Sequence, residues 1–199
     1  MSIGGELSSV GVSIRDQFAA PAQVGALLQC VLDRKSQGEF AAARVGGRAA
    51  LQRREDIRGD FTCWLREPWY PAERILLDQL EQLRLELNRE AFLGLFDLEL
   101  HYAWYPPGAG YARHLDQPHG TTQRVVSMVL YLNAGWDRLA GGALRIYDAA
   151  ERSVDIEPLA GRLVCFLTPG REHAVLPARR DRFSISGWFR ARSLSDLPG

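Results

Sequence analysis

The sequence predicts an α+β protein, mainly β, in which an antiparallel double sheet of jelly-roll type is backed by N-terminal helices. Three observations carry this expectation. Apolar residues recur at helical spacing only in the first half of the chain; from residue 97 onward short β-rich runs alternate with Gly, Pro, Asp and Asn; and eight such runs are present, enough for two packed sheets with helices banked at one end.

Residues 21 to 36 open on Pro21, a favoured first-turn residue, and place Val24, Leu27, Leu28, Val31 and Leu32 at helical spacing before Gly38. A second helix begins near Pro71, carries Glu73 in its first turn and repeats Leu76, Leu80, Leu83 and Leu87, a stripe suited to packing on a sheet. Between them lies a less regular segment containing Ile57-Arg58-Gly59-Asp60. The strands are expected near 97–105, 110–116, 124–132, 142–148, 153–157, 161–167, 173–177 and 182–190. Pro106-Pro107-Gly108, Asn133-Ala134-Gly135, Gly141-Gly142 and Pro169-Gly170 supply the turn chemistry between them. No internal repeat or low-complexity linker interrupts the chain.

At 199 residues with 46% hydrophobic and 24% charged side chains, the chain is expected to form one globular domain rather than a disordered segment. Its 24 basic and 24 acidic residues cancel, which removes the global electrostatic reason to expect a nucleic-acid partner or an anionic membrane surface. All the basic residues except Lys35 are arginine, and six fall in the C-terminal stretch: Arg171, Arg179, Arg180, Arg182, Arg190 and Arg192. Cys30, Cys63 and Cys165 are odd in number and far apart, so neither a disulfide framework nor a CxxC metal knuckle is available. With no basic-then-apolar leader and no uncharged run of about 18 residues, a cytoplasmic location is expected.

Chemistry concentrates around four histidines: His101, His114, His119 and His173. In a strand, His114 and Asp116 project from the same face, so an imidazole and a carboxylate converge. By itself such a triplet is also read as a hydrogen-bonded pair at a strand end. An imidazole from another strand, His173, would complete two nitrogens and one oxygen with coordination positions left open, as in non-haem iron(II) oxygenases. The last strand then puts Arg182, Ser184, Ser186 and Trp188 on one face. A buried arginine needs an anionic partner, and a bound diacid would supply it. His119 follows in Gln117-Pro118-His119-Gly120, which reads as a turn, and His101 shares a face with Ala103 and Tyr105.

The run from Leu100 to Phe189 resembles the catalytic core of the 2-oxoglutarate and iron(II)-dependent prolyl 4-hydroxylases, especially the oxygen-sensing enzymes of animals and their bacterial relatives acting on elongation factor Tu. The similarity lies in Trp104-Tyr105-Pro106, Gly110-Tyr111-Ala112-Arg113-His114-Leu115-Asp116, Tyr131-Leu132-Asn133, Trp136-Asp137, Gly141-Gly142-Ala143-Leu144-Arg145-Ile146, Asp155-Ile156-Glu157-Pro158 and the stretch from His173 to Trp188. It reaches upstream to Asp56-Ile57-Arg58-Gly59-Asp60 and Trp64.

The resemblance implies a double-stranded β-helix core over 97–190, with 1–96 as helical support and a mobile loop. It implies iron ligation by His114, Asp116 and His173, and capture of the distal 2-oxoglutarate carboxylate by Arg182 with help from the Tyr131 hydroxyl. Tyr105 would stand near the other end of the cosubstrate, and Val129, Leu144, Val175, Ser186 and Trp188 would wall the pocket. Arg58, Asp60 and Arg124 would belong to a substrate loop, with Asp60 paired to Arg124. Fe(II), 2-oxoglutarate, dioxygen and ascorbate are the implied cofactors. The implied partner is a protein with an exposed proline loop, elongation factor Tu foremost. Two departures bear on the substrate: the stretch between Trp136 and Gly141 is a residue shorter than in the animal enzymes, and only Ala191 to Gly199 follow the last strand. Hydroxylation of a small molecule or another side chain, and a peptide-binding module without turnover, are the competing readings.

Overall fold

The computed structural model describes residues 1–44, 57–117 and 123–192. In chain order the elements are α1 (Ile3–Val10), β1 (Val12–Arg15), α2 (Pro21–Ser36), β2 (Ala41–Ala42), β3 (Phe61–Trp64), α3 (Pro71–Ala91), β4 (Leu95–Tyr105), β5 (Tyr111–His114), β6 (Arg124–Tyr131), β7 (Leu144–Tyr147), β8 (Ser153–Ile156), β9 (Leu163–Leu167), β10 (His173–Val175) and β11 (Arg182–Ala191). All eight expected strands form. The front of the chain, read as helical, also contributes β1, β2 and β3, which lengthen the large sheet at both edges. These strands are too short for a two-residue period to stand out.

Helix α1, which the sequence pattern did not reveal, is capped by Ser2, whose hydroxyl accepts from the Gly5 N–H at 3.3 Å. It stops at Gly11, whose φ of 73° lets its N–H reach back to the carbonyls of Glu6 and Leu7. Helices α2 and α3 start at Pro21 and Pro71 as expected, and Leu76, Leu80, Leu83 and Leu87 are all buried. Glu73, expected to complement the dipole of α3, does more than that. It is fully buried, accepts from the Tyr70 N–H at 2.9 Å and the Tyr102 hydroxyl at 2.9 Å, and takes both arms of Arg34 at 3.0 and 3.1 Å. This tie joins α2 and α3 to the back of β4.

Two antiparallel sheets face each other, one ordered β1-β9-β6-β11-β4-β3-β2 and the other β5-β10-β7-β8. Strand alternation divides the large sheet's side chains. Tyr102, Leu130, Cys165, Ile185 and Phe189 point outward under the helices, while Ala103, Tyr131, Val164 and Phe166 point inward to meet Leu144, Ile146, Ile156 and Val175 of the small sheet. Register lines up the inner residues in rows across the strands. One row runs Glu99, Trp188, Ser127, Phe166; the next Trp64, His101, Ser186, Val129, Val164; the next Ala103, Ser184, Tyr131; the last pairs Tyr105 with Arg182. Gly187 is required within β11, because a Cβ there would lie 2.2 Å from the Glu99 carbonyl oxygen. Cys30, Cys63 and Cys165 are buried and unpaired, and burial pushes the Cys63 thiol up to about 11 and the Cys165 thiol to about 12, so none is a reactive thiolate.

Candidate active site

The inner rows end in a cavity between the sheets, lined on one side by His101, Tyr105, Val129, Arg182, Ser186 and Trp188 and on the other by His114, Leu144, His173 and Val175. At one end, β10 pairs with β5 so that His173 stands opposite His114, their ring centroids 4.2 Å apart. Asp116 lies just beyond β5, with its carboxylate oxygens 3.5 Å from the Nε2 of each histidine. One donor atom from each of the three falls within 4.8 Å of the others. Each imidazole turns its Nδ1 to a backbone carbonyl, His114 to Ala112 at 2.8 Å and His173 to Arg171 at 3.2 Å, which leaves both Nε2 atoms facing the cluster. Tyr111 stacks on His114 with centroids 3.4 Å apart and planes 13° apart, which fixes the ring.

The charge of Asp116 suits a divalent cation. Burial works against ionisation of Asp116, yet the imidazoles of His173 and His114 outweigh it and hold the carboxyl well below its ordinary range. Burial lowers His114 despite Asp116, which favours the neutral imidazole that a metal requires; His173, opposed by burial, is raised by Asp116, so a cation binding there displaces a proton. Two imidazole nitrogens and one carboxylate oxygen fit an iron(II) ion with coordination positions open to other ligands.

At the other end lies Arg182, 1% exposed. Its Nε donates to the Gly142 carbonyl at 2.9 Å, and its guanidinium carbon sits 4.9 Å from the Tyr105 ring centroid and 5.0 Å from that of Tyr131. Gly142, at φ 73°, lets the chain present that carbonyl. Among the described residues Arg182 touches the Gly142 carbonyl and, at 3.5 Å, the Ser184 hydroxyl but no carboxylate, and the buried Tyr131 hydroxyl beside the guanidinium has no partner within hydrogen-bond geometry. Unpaired cation and orphaned hydroxyl together fit an anionic ligand such as the far carboxylate of a diacid.

The sequence-derived residues separate as follows. His114, Asp116, His173 and Arg182 meet at one cavity, and Tyr105, Val129, Leu144, Val175, Ser186 and Trp188 line it. Tyr131 stands behind Arg182 instead of on the wall, and the ring of Tyr105 touches the arginine end. The expected pairing of Asp60 with Arg124 does not form. Asp60 takes both arms of Arg58, at 2.6 and 3.0 Å, because the two are neighbours on a segment zipped to β5 by the Gly59 N–H to Gly110 carbonyl bond. Arg124 instead donates to the Glu99 carboxylate at 2.8 Å and the Asp116 carbonyl at 2.9 Å, and lies 3.5 Å over the Trp188 ring. The C-terminal arginines have separate partners: Arg190 pairs with Asp97, Arg171 reaches the carbonyls of Tyr147 and Val10, and Arg192 lies over Phe96. His119 lies outside the described residues. Sequence reasoning missed Arg58 as a wall residue and Ser127, Thr168 and Phe166 beside the ligands; for Ser127 the two-residue period shared with Val129 and Tyr131 was the available signal.

A jelly-roll double sheet whose cavity joins two imidazoles and a carboxylate to a buried, unpaired arginine defines a non-haem metal-dependent oxygenase that uses an acidic cosubstrate. Residues 100–190 match the 2OG-Fe(II) oxygenase superfamily. The chain is 33% identical to mouse prolyl hydroxylase EGLN3 over 198 residues, covering 92% of this chain and 80% of the relative. Among solved structures, a Pseudomonas putida prolyl-4-hydroxylase is 41% identical with a TM-score of 0.88, over 96% of this chain and 98% of that one. A prolyl hydroxylase from Trichoplax adhaerens, in complex with a hypoxia inducible factor oxygen degradation domain peptide fragment, is 27% identical with a TM-score of 0.84, over 94% and 87%. The chain belongs to the 2OG-Fe(II) oxygenase superfamily and is an oxygenase of the prolyl hydroxylase type, with Fe(II), 2-oxoglutarate and dioxygen as its cofactor set. Among the described residues no helix is long and apolar enough to cross a membrane.

Proposed function

We propose that the protein is a cytoplasmic peptidyl-prolyl 4-hydroxylase acting on a proline in an exposed loop of a protein, with elongation factor Tu as substrate. The observation that carries the reading is the cavity itself, with the His114, Asp116 and His173 cluster at one end and the unpaired, buried Arg182 at the other. In this reading the three clustered residues hold Fe(II). Arg182 receives the distal carboxylate of 2-oxoglutarate in a charge-assisted pair, with the Tyr131 hydroxyl as a further donor.

The bound iron, with 2-oxoglutarate and dioxygen, supplies an oxidation that yields succinate and carbon dioxide and places one oxygen atom at a proline C–H bond. The protein's own work is positional. Arg182 and Tyr131 fix the diacid's far end, Tyr105 packs against the guanidinium, and Val129, Leu144, Val175 and Trp188 keep bulk water from the reacting end. No side chain has to act as a nucleophile. Arg58, Tyr111 and Trp188 also line the cavity, and in this reading they would face the substrate residue.

Two measurements test this. Adding Fe(II) and then 2-oxoglutarate without oxygen should give a weak visible charge-transfer band that is lost in His173→Ala; no band in folded protein overturns the oxygenase site. Incubating the host's elongation factor Tu with loaded enzyme should add a single oxygen to one proline, located by peptide mass spectrometry. If the factor stays unmodified while another protein or a small molecule is oxidised, the assigned substrate is wrong and the chemistry stands.

A further inference from the structure

Behind the metal cluster lies a polar chain that has no role in the mechanism above. The Ser127 hydroxyl is 2.8 Å from Asp116 Oδ2 and 2.9 Å from the Thr168 hydroxyl, and Ser127 and Thr168 are 2% and 0% exposed. Their surroundings are apolar: Ser127 lies between Trp188 and Phe166 in register on the inner face. An ionised carboxylate only accepts, so Ser127 must donate to Asp116, and its remaining contact obliges Thr168 to donate to Ser127. The direction of both hydrogen bonds is therefore set by Asp116. Buried hydroxyls cost free energy unless partnered, and here both are spent on one carboxylate.

We infer that Ser127 and Thr168 are positioning residues for the metal, a two-hydroxyl relay that locks the plane of the Asp116 carboxylate by occupying Oδ2, the oxygen 3.5 Å from His173 Nε2, and leaves Oδ1, 3.5 Å from His114 Nε2, without a hydroxyl partner in the relay. Asp116 is gripped at its backbone too, where Arg124 donates to its carbonyl at 2.9 Å. A carboxylate held in this way offers the ion a single fixed oxygen and does not swing to chelate it, which keeps coordination positions open for a bidentate 2-oxo acid and a further ligand. This rests on Asp116 being a metal ligand.

The test is the affinity of the metal-free protein for Mn(II) alone, read by electron paramagnetic resonance of the free ion, together with the visible spectrum of the Co(II)-loaded protein. Asp116→Ala should abolish binding; retained affinity would show that the ligand assignment is at fault. With that control in hand, Ser127→Ala should weaken Mn(II) binding by about tenfold or more, in line with losses of such supporting contacts, and change the Co(II) spectrum. Ser127→Thr, which restores a hydroxyl, should recover most of the affinity. Thr168→Val, which leaves Ser127 in place but removes its donor, should weaken binding to a lesser extent, and it decides the matter if Ser127→Ala does not fold. Wild-type affinity and spectrum in folded Ser127→Ala, or in Thr168→Val where that variant must stand in, overturn the relay.

Discussion

The Arg182 guanidinium carbon lies 5.0 Å from the Tyr131 ring centroid, both groups are buried, and among the described residues no carboxylate pairs with the cation. A cation kept this way costs folding free energy until a ligand arrives. Replacing Arg182 with Met should therefore leave the metal-free, ligand-free protein at least as stable as wild type. It should also weaken 2-oxoglutarate binding by roughly 100-fold or more, the scale of losing one partner from a buried ion pair. Thermal unfolding with and without 2-oxoglutarate in the presence of Mn(II) checks both. Saturation at about 100 times the dissociation constant should stabilise wild type by about 2.7 kcal/mol and the variant hardly at all.

His101 offers a pH-dependent counterpart. It is 4% exposed, stacks against Trp188 with centroids 5.4 Å apart, and its Nδ1 has no partner; burial, helped by the nearby Arg58 charge, pushes it down to about 4. An unfolded histidine titrates near 6.5, so between those values the unfolded chain binds more protons and stability falls as pH is lowered. Relative to His101→Leu, wild type should lose about 2 kcal/mol between pH 7.5 and pH 5. Urea unfolding of both metal-free proteins at the two pH values measures the difference, and a gap independent of pH would refute it.

Asp60 has two arginines within its region and binds one. Double-mutant cycles on unfolding free energy should give Asp60 and Arg58 a coupling of about 1–3 kcal/mol, because the bidentate pair shares a buried carboxylate. Asp60 and Arg124 should add within about 0.5 kcal/mol. Strong coupling of Asp60 to Arg124 would mean that the pairing exchanges in solution.

Far from the cavity, Glu73→Gln should cost about 1–3 kcal/mol, since it weakens the buried bonds that Glu73 accepts from Arg34, the Tyr70 N–H and the Tyr102 hydroxyl, while Glu39 still pairs with Arg34 at 2.8 Å. Mn(II) affinity should be unchanged, because Glu73 lies on the helix side of the large sheet. Chemical denaturation and a metal titration on the same preparation separate the two effects.

Much of this architecture was legible in the sequence because two signals are local. The Leu76, Leu80, Leu83, Leu87 stripe announces α3, and the alternation Arg182, Ser184, Ser186, Trp188 announces the inner face of β11. The cluster of His114, Asp116 and His173 was legible from the two-residue spacing of His114 and Asp116, although β5 ends at His114 and Asp116 lies just beyond it. What stayed hidden depended on partners distant in sequence. Glu73 reads as an exposed first-turn acid until Arg34 and Tyr102 close over it, and Asp60 is matched to Arg124 by resemblance until the backbone bridge to β5 hands it to Arg58. Ser127 sits in a run of apolar residues and becomes polar machinery only when β9 brings Thr168 alongside.

The two ends of the cavity rest on unequal supports. Arg182 begins a ten-residue strand paired on both sides, whereas His114 and His173 belong to strands of four and three residues in the small sheet. Short ladders open at low free-energy cost, so an ion bound across β5 and β10 acts as a staple for the weaker wall. Amide hydrogens of Tyr111–His114 and His173–Val175 should therefore exchange markedly faster without metal, while those of β11 hardly change. With iron held by His114, Asp116 and His173, its retention and the integrity of the small sheet would become one property, and oxidation or loss of the ion would be felt first as fraying of that wall.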